Sequence, residues 1–238
     1  ENDESVVITL SNATNVTISD SSGSIIINDD DSIKFTATDI ATNADGAVNL
    51  FSADLDGDGD LDIVSASELD DTIAWYENDG SSNPTFTATD ITTNADGARE
   101  ISIADIDGDG DLDIISASSN NHSITWLEND GANTPTWTAT TISTTSQHVQ
   151  DVQVADMDGD GDLDIVSASY RDNTIAWYEN NGATDPSWTA FDIVNTNSGT
   201  TQKAHVARSV HVADMDGDGD LDIVSASKRD NTIAWYEN

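Results

Sequence analysis

Five carboxylates occupy alternate positions of the stretch Asp54-Leu-Asp-Gly-Asp-Gly-Asp-Leu-Asp62, at places 1, 3, 5, 7 and 9. The chain carries this stretch four times. Its aspartates are Asp54, Asp56, Asp58, Asp60 and Asp62, then Asp105, Asp107, Asp109, Asp111 and Asp113. The third set is Asp156, Asp158, Asp160, Asp162 and Asp164, and the fourth Asp214, Asp216, Asp218, Asp220 and Asp222. Only the second residue varies, as Leu55, Ile106, Met157 and Met215. Short side chains ending in hard oxygens suit a hard cation, and calcium takes about 6–8 oxygen ligands at roughly 2.3–2.6 Å. Carboxylates at places 1, 3, 5 and 9, with the backbone carbonyl of place 7, can supply most of that shell. Glycine at place 6 lets the backbone reverse so that the oxygens turn inward. Without an ion, each like-charge pair about 4 Å apart costs ~1–4 kcal/mol, depending on the effective dielectric. The expectation is four bound Ca2+ ions, one per loop.

Other ions fit less well. Magnesium demands a tight octahedron and keeps several waters. Zinc prefers Cys and His, and the chain has no Cys and no paired His near the loops. An EF-hand would need a bidentate Glu at place 12, where Ser65, Ser116, Ser167 and Ser225 stand instead. An ion-free, solvated acidic turn is the plainer reading of one such loop, and fourfold repetition argues against it.

The loops must be positioned by whatever repeats with them. Asp54, Asp105, Asp156 and Asp214 stand 51, 51 and 58 residues apart, the longer interval holding an insertion in Asn195–Arg208. Each unit has the same order: an apolar-alternating segment such as Val48–Ala53, the acidic loop, Leu61–Ser67, Thr72–Asn78, then a Gly/Asn/Pro turn and Phe86–Ile91. These segments are short, rich in β-branched or aromatic residues and bounded by turn formers, which reads as strands. No window has a sustained helical period. Four short strands per repeat of about 50 residues is the pattern of a propeller blade. The predicted fold is all-β: a β-propeller of about four four-stranded blades with calcium-binding loops, plus a short N-terminal β segment. Small Ser and Ala in Asp62–Ser67 and its copies allow close approach of neighbouring blades. Trp75, Trp126, Trp177 and Trp235 share one register and are expected to pack between blades.

The run Ala-Asp-X-Asp-Gly-Asp-Gly-Asp-Leu-Asp-Ile-Val-Ser-Ala-Ser, followed by Asn-Thr-Ile-Ala-Trp-Tyr-Glu-Asn, resembles the FG-GAP/VCBS repeat of integrin α-chain propellers and many bacterial surface proteins. The resemblance covers residues 34–238. It implies that each loop joins the first and second strands of a blade. It also implies calcium ligands at places 1, 3, 5, 7 and 9, the seventh through its carbonyl.

Counting segments exposes an imbalance. Phe35–Ile40, of outer-strand type, precedes all four inner strands, and the chain ends at Trp235–Asn238 with no outer segment after it. Pairing Phe35–Ile40 with Thr232–Asn238 would close a four-bladed ring. The same pairing between molecules would build a chain. Unpaired, both would be bare edges, which proteins seldom leave.

Residues 1–33 form a separate segment. Val6–Leu10, Val16–Ser19 and Ile25–Asn28 read as three strands, and Leu10–Thr14 with Gly23–Asp30 resembles the closing strands of a Calx-β domain, an immunoglobulin-like sandwich. Three strands bury one apolar face poorly on their own. The segment is expected either to belong to a longer multidomain protein or to pack on a neighbouring subunit. Head-to-tail repetition of such a contact makes a filament. The opening Glu1–Glu4 reads as the start of a mature or excised piece, without a signal peptide.

Composition narrows the partners. The formal net charge is −39, with 46 acidic and 7 basic residues, so nucleic acid and anionic membranes are poor partners. No apolar run reaches membrane-spanning length. Without Cys there is no disulfide framework or thiol chemistry. Weak calcium loops require about millimolar metal, an extracellular condition. Asn12, Asn15 and Asn121 head glycosylation sequons. Arg171 and Lys228-Arg229 lie in matching turns, where local charge relief is their expected role. His122, His148, His205 and His211 stand at unrelated repeat positions, and no nucleophile elbow, phosphate loop or zinc motif occurs. The chain is expected not to be an enzyme. The expected function is a calcium-stabilised extracellular structural or adhesive module, self-associating head to tail or meeting a surface protein or glycan. The alternative is a carbohydrate-binding module or an accessory domain of a polysaccharide-processing enzyme.

Overall fold

The computed structural model describes residues 4–9, 22–27, 35–195 and 204–238. Contacts divide the chain into two compact units, residues 1–39 and 40–238. In the first unit β1 (Glu4–Thr9) pairs antiparallel with β2 (Ser22–Ile27). These overlap the expected strands Val6–Leu10 and Ile25–Asn28. The expected strand Val16–Ser19 and the sequons at Asn12 and Asn15 lie outside the described residues, as does the core of the insertion, 196–203.

The second unit is four antiparallel sheets, each a simple meander with strands in chain order. The first comprises β3 (Ala47–Ala53), β4 (Asp62–Ser67), β5 (Thr72–Asn78) and β6 (Phe86–Thr92). The second comprises β7 (Ala98–Ala104), β8 (Asp113–Ser118), β9 (Ser123–Asn129) and β10 (Trp137–Ser143). The third holds β11 (Val149–Ala155), β12 (Asp164–Ser169), β13 (Thr174–Asn180) and β14 (Trp188–Asn195). The fourth, among the described residues, has β15 (Ala207–Ala213), β16 (Asp222–Ser227) and β17 (Thr232–Tyr236).

Three apolar clusters form the core, each shared by consecutive sheets. Leu55, Val64, Ile73 and Trp75 meet Ala98, Ile101, Ile114 and Leu127. Ile106, Ile115, Ile124 and Trp126 meet Val149, Val152, Ile165 and Tyr178. Met157, Val166 and Ile175 meet Ala207, Val210 and Ile223. Each fully buried large side chain contributes about 1.5–3 kcal/mol. β8 and β12 are buried at every residue because sheets cover them on both faces. The Ser-Ala-Ser stretch of these central strands gives the small surface that such close stacking needs. The recurring tryptophans lie at the junctions as expected, except that Trp235, on the last sheet, is half exposed.

Two expectations need correcting. Among the described residues the last sheet has three strands, and Phe35–Ile40 forms no strand. The sheets are therefore not closed into a ring. Leu50 and Phe51 at one end and Ile233 and Trp235 at the other remain exposed. A strand exists through its ladder partners, and the described residues offer Phe35–Ile40 none.

Candidate metal centres

Each acidic loop joins the first strand of a sheet to its second, between β3 and β4 and at the same joint of the other three sheets. Gly57 and Gly59 have φ of 72° and 98°, and the corresponding glycines elsewhere are likewise left-handed. Both glycines are thus required, whereas the sequence reading gave a role only to the second. Gly59 N donates to Asp54 Oδ2 (3.0 Å), Asp58 N to Asp56 Oδ1 (3.3 Å) and Asp60 N to Asp58 Oδ1 (2.9 Å). The other loops repeat these bonds. The aspartates wind the backbone around themselves and leave their outer oxygens facing one point.

Places 1, 3 and 5 converge in every loop. Asp54, Asp56 and Asp58 each bring a carboxylate oxygen within 4.8 Å of the other two, as do Asp105, Asp107 and Asp109. Asp156, Asp158 and Asp160, and Asp214, Asp216 and Asp218, form the remaining triplets. Two oxygens bound to one calcium lie at most about 5 Å apart, so this spacing admits a shared ion. In the first three loops the Oδ1 of Asp54, Asp105 and Asp156 is buried with no hydrogen-bond partner. A buried carboxylate oxygen left alone is costly, and a cation satisfies it. The residues present therefore fit a hard divalent ion. The fourth loop differs: Asp214 Oδ1 accepts Gly217 N at 2.6 Å, and its triplet is exposed.

Places 7 and 9 do other work. Asp62 is buried and accepts two backbone amides, Leu55 N on Oδ2 (3.2 Å) and Asn78 N on Oδ1 (2.8 Å). It ties the loop's entry to the end of β5. Asp113, Asp164 and Asp222 repeat the tie. Each oxygen keeps a second lone pair, so this bonding is compatible with a metal nearby. The carboxylates of Asp60, Asp111 and Asp162 instead lie against Gly80, Gly131 and Gly182, where a Cβ would collide with them. In these three loops place 7 therefore has its carboxylate directed at the following turn.

Burial without a counter-charge shows in the titration of some of these groups, whereas the amide of Asn238 holds the Asp222 carboxyl low. Burial pushes the Asp113 carboxyl up to about 6, against the amides of Asn129 and Ile106 that hold it down. Burial also raises Asp107, with repulsion from Asp109 adding to it, and raises Asp56. A bound cation would reverse this by favouring the anions.

Sequence reasoning missed the asparagine ending each tryptophan strand. Asn129 Nδ2 donates to Leu55 O (2.9 Å), Asn180 Nδ2 to Ile106 O (3.1 Å) and Asn238 Nδ2 to Met157 O (3.0 Å), each reaching the loop of the preceding sheet. The repeated Glu-Asn closing each such strand was the available signal. The histidines hold a smaller surprise: His122 and His148 meet across the second junction, with ring centroids 6.5 Å apart, and His148 also packs on Tyr170. Burial keeps the His148 imidazole low.

Among the described residues no helix is long and apolar enough to cross a membrane. No curated protein matches this chain. Among solved structures, an Agrocybe aegerita lectin, described for specific recognition of non-reducing terminal N-acetylglucosamine, is similar at 20% identity and a TM-score of 0.54. The likeness covers 94% of this chain and 57% of the lectin, so the chain spans little more than half of the lectin's length, and the likeness speaks to the fold alone. The V. cholerae biofilm matrix protein Bap1 is similar at 18% identity and a TM-score of 0.38, over 82% of this chain and 30% of Bap1. The family model described as an FG-GAP-like repeat matches residues 54–116, 105–167 and 156–225. Each matched unit starts at one acidic loop and ends in the central strand after the next, crossing the junction that the core clusters and asparagine bonds define. On this match and that geometry, the chain belongs to the FG-GAP-like repeat family.

Proposed function

We propose that this chain is a calcium-stabilised extracellular structural or adhesive module, its sheets acting as propeller blades and its copies assembling head to tail. Four Ca2+ ions are held in the four loops by places 1, 3 and 5, with the backbone carbonyl of place 7 and the buried carboxylate of place 9 completing the shell. The observation that carries the reading is the buried, partnerless Oδ1 of Asp54, Asp105 and Asp156, each beside two further carboxylates at the same strand joint. Bound calcium cancels the loop's self-repulsion and locks the first two strands of each sheet, giving a rigid body to an otherwise strongly anionic chain. Membership of the FG-GAP-like family supports the extracellular setting. The reading assigns no catalytic step.

Calorimetric titration with Ca2+, followed by melting in calcium and in chelator, tests it. Binding near four ions per chain and a large fall in melting temperature on chelation are expected. Absence of calcium binding at millimolar metal would refute the reading. A second reading, carbohydrate binding, is supported by the fold shared with a glycan-recognising lectin. It is also supported by a polar hollow lined by Gln147, Asp172, Thr174, Tyr178 and Asp192. A glycan array separates the two.

A further inference from the structure

The two end faces of the sheet stack carry the halves of a junction that the chain already makes three times. At each internal junction the preceding sheet offers the loop's second residue, the isoleucine of its third strand and the tryptophan beyond it. On the last sheet these are Met215, Ile233 and Trp235. Ile73, Ile124 and Ile175 are wholly buried, whereas Ile233 is 75% exposed. At the first and third junctions the following sheet offers two alanines, one just before its first strand and one opening it, and a branched apolar residue on that strand; at the second, Ser146 and Val149 take the alanines' places. On the first sheet these are Ala44, Ala47 and Leu50. Leu50 is 71% exposed, against 2% for its counterpart Ile101. The hydrogen bonds are also half made. Among the described residues Asn78 Nδ2 reaches only Leu61 O within its own sheet, whereas Asn129 Nδ2 bonds both Leu112 O and the preceding loop. Ala95 N and Gly97 N bond Asp71 O and Oδ1 across the first junction. At the last sheet the place of those two residues is a hollow lined by Ala226, Asn231 and Ile233.

The missing strand points the same way. Phe35–Ile40 is identical, residue for residue, to Phe86–Ile91, which forms β6 on the edge of β5. Without such an edge Phe35–Ile40 is no strand, and Phe35 is 94% exposed. Among the described residues β17 has that edge and no fourth strand beside it. The connection from Phe35 to Ala47 has the same length as that from Phe86 to Ala98. One docking step would therefore seat both the strand and the sheet that follows it.

Resting on the head-to-tail reading above, we propose that a second copy of this chain docks its first sheet on the last sheet of its neighbour and lends Phe35–Ala41 as that sheet's fourth strand. The register follows β5 and β6, where Ala74 faces Asp90 and Tyr76 faces Ala88. It sets Asp39 opposite Ala234 and Ala37 opposite Tyr236 of the neighbouring copy. Asn78 Nδ2 then donates to the neighbour's Met215 O, and Gly46 N to its Asn231 side chain. The interface is heterologous, so repetition gives an open filament or a ring of few copies according to the accumulated rotation.

The chain has no cysteine, so placed cysteines report cleanly. Asp39→Cys and Ala234→Cys are made in separate full-length chains, mixed in millimolar calcium at high protein concentration and oxidised. Ala37→Cys with Tyr236→Cys is the second pair. Mixed chains are expected to give a cross-linked heterodimer, and a chain bearing both cysteines a ladder. Leu50→Asp, at an exposed position, should leave the melting of dispersed chains unchanged and lower assembly at least tenfold. A cross-linked monomer from the doubly substituted chain, without mixed dimers, overturns the proposal by returning the strand to its own sheet. Assembly with neither pair cross-linking overturns the assigned faces and leaves head-to-tail association standing. Dispersed monomers under these conditions overturn both, and the calcium reading keeps its separate test.

Discussion

Replacing Asp105 by Asn should change stability in opposite directions with and without calcium. Asp105 Oδ2 accepts Gly110 N, while Oδ1 is buried and partnerless beside Asp107 and Asp109, with ligand oxygens within 4.8 Å of one another. At about 5 Å, two like charges repel by ~1–3 kcal/mol for effective dielectrics between water and a protein surface. In chelator, Asp105→Asn removes that repulsion, and the new amide can donate to the neighbouring carboxylates. About 1 kcal/mol of stabilisation should follow, roughly 2–4 °C in Tm for a chain of this size. In calcium at 100 times Kd, each site contributes about 2.7 kcal/mol. Losing one should then lower Tm by roughly 5–11 °C. Asp214→Asn should show the same pattern more weakly, because its triplet is exposed and its Oδ1 is already bonded. Scanning calorimetry of both variants in millimolar calcium and in excess chelator decides the matter. If Asp105→Asn moves Tm in the same direction under both conditions, the loop is not a metal site of the kind described.

Three further outcomes follow from the same geometry. Asp113→Ala leaves the amides of Ile106 and Asn129 without their acceptor in a buried setting. Urea unfolding should reveal a loss of about 2–5 kcal/mol, and a loss below about 1 kcal/mol would show that the tie is ornamental. Gly110 has φ of 101° with open space around it, so Gly110→Ala should cost about 1 kcal/mol or more through backbone strain alone and weaken calcium at that loop. Unchanged calcium affinity, read by titration, would argue against that strain. Glu100 takes an amide hydrogen bond from Asn49, yet burial, with Asp151 nearby, pushes its carboxyl up to about 7. Because its folded pKa lies above the unfolded value, stability falls as pH rises from about 4.5 to about 7 and stays reduced above that. Allowing for its partial exposure, Glu100→Gln should raise stability at pH 8 by about 1 kcal/mol and change little at pH 4. An equal effect at both pH values would place the cause elsewhere.

The repeat, the four-strand order and the loop were legible because each rests on local chemistry. Strand signals arise from alternation within six or seven residues, and the loop's shape from glycines and aspartates that bond their own backbone. The separate tasks of the five aspartates were not legible. Asp54 and Asp62 are the same residue type eight positions apart, yet one aims a bare oxygen at the cluster and the other holds two amides. Only the packing of β5 beneath the loop distinguishes them. The asparagine bonds were hidden for a related reason: Asn129 and Leu55 are 74 residues apart and meet only once two sheets stack.

Phe35–Ile40 and Phe86–Ile91 mark the boundary between the two kinds of knowledge. Their sequences are identical, so composition and pattern determine for both the capacity to be a strand. Tertiary structure decides which of them is one, because a strand is stabilised by hydrogen bonds to a neighbouring edge, and among the described residues only Phe86–Ile91 pairs with one. The same holds for the isoleucines of the third strands: their type was set by the chain, and their burial by whether another sheet follows.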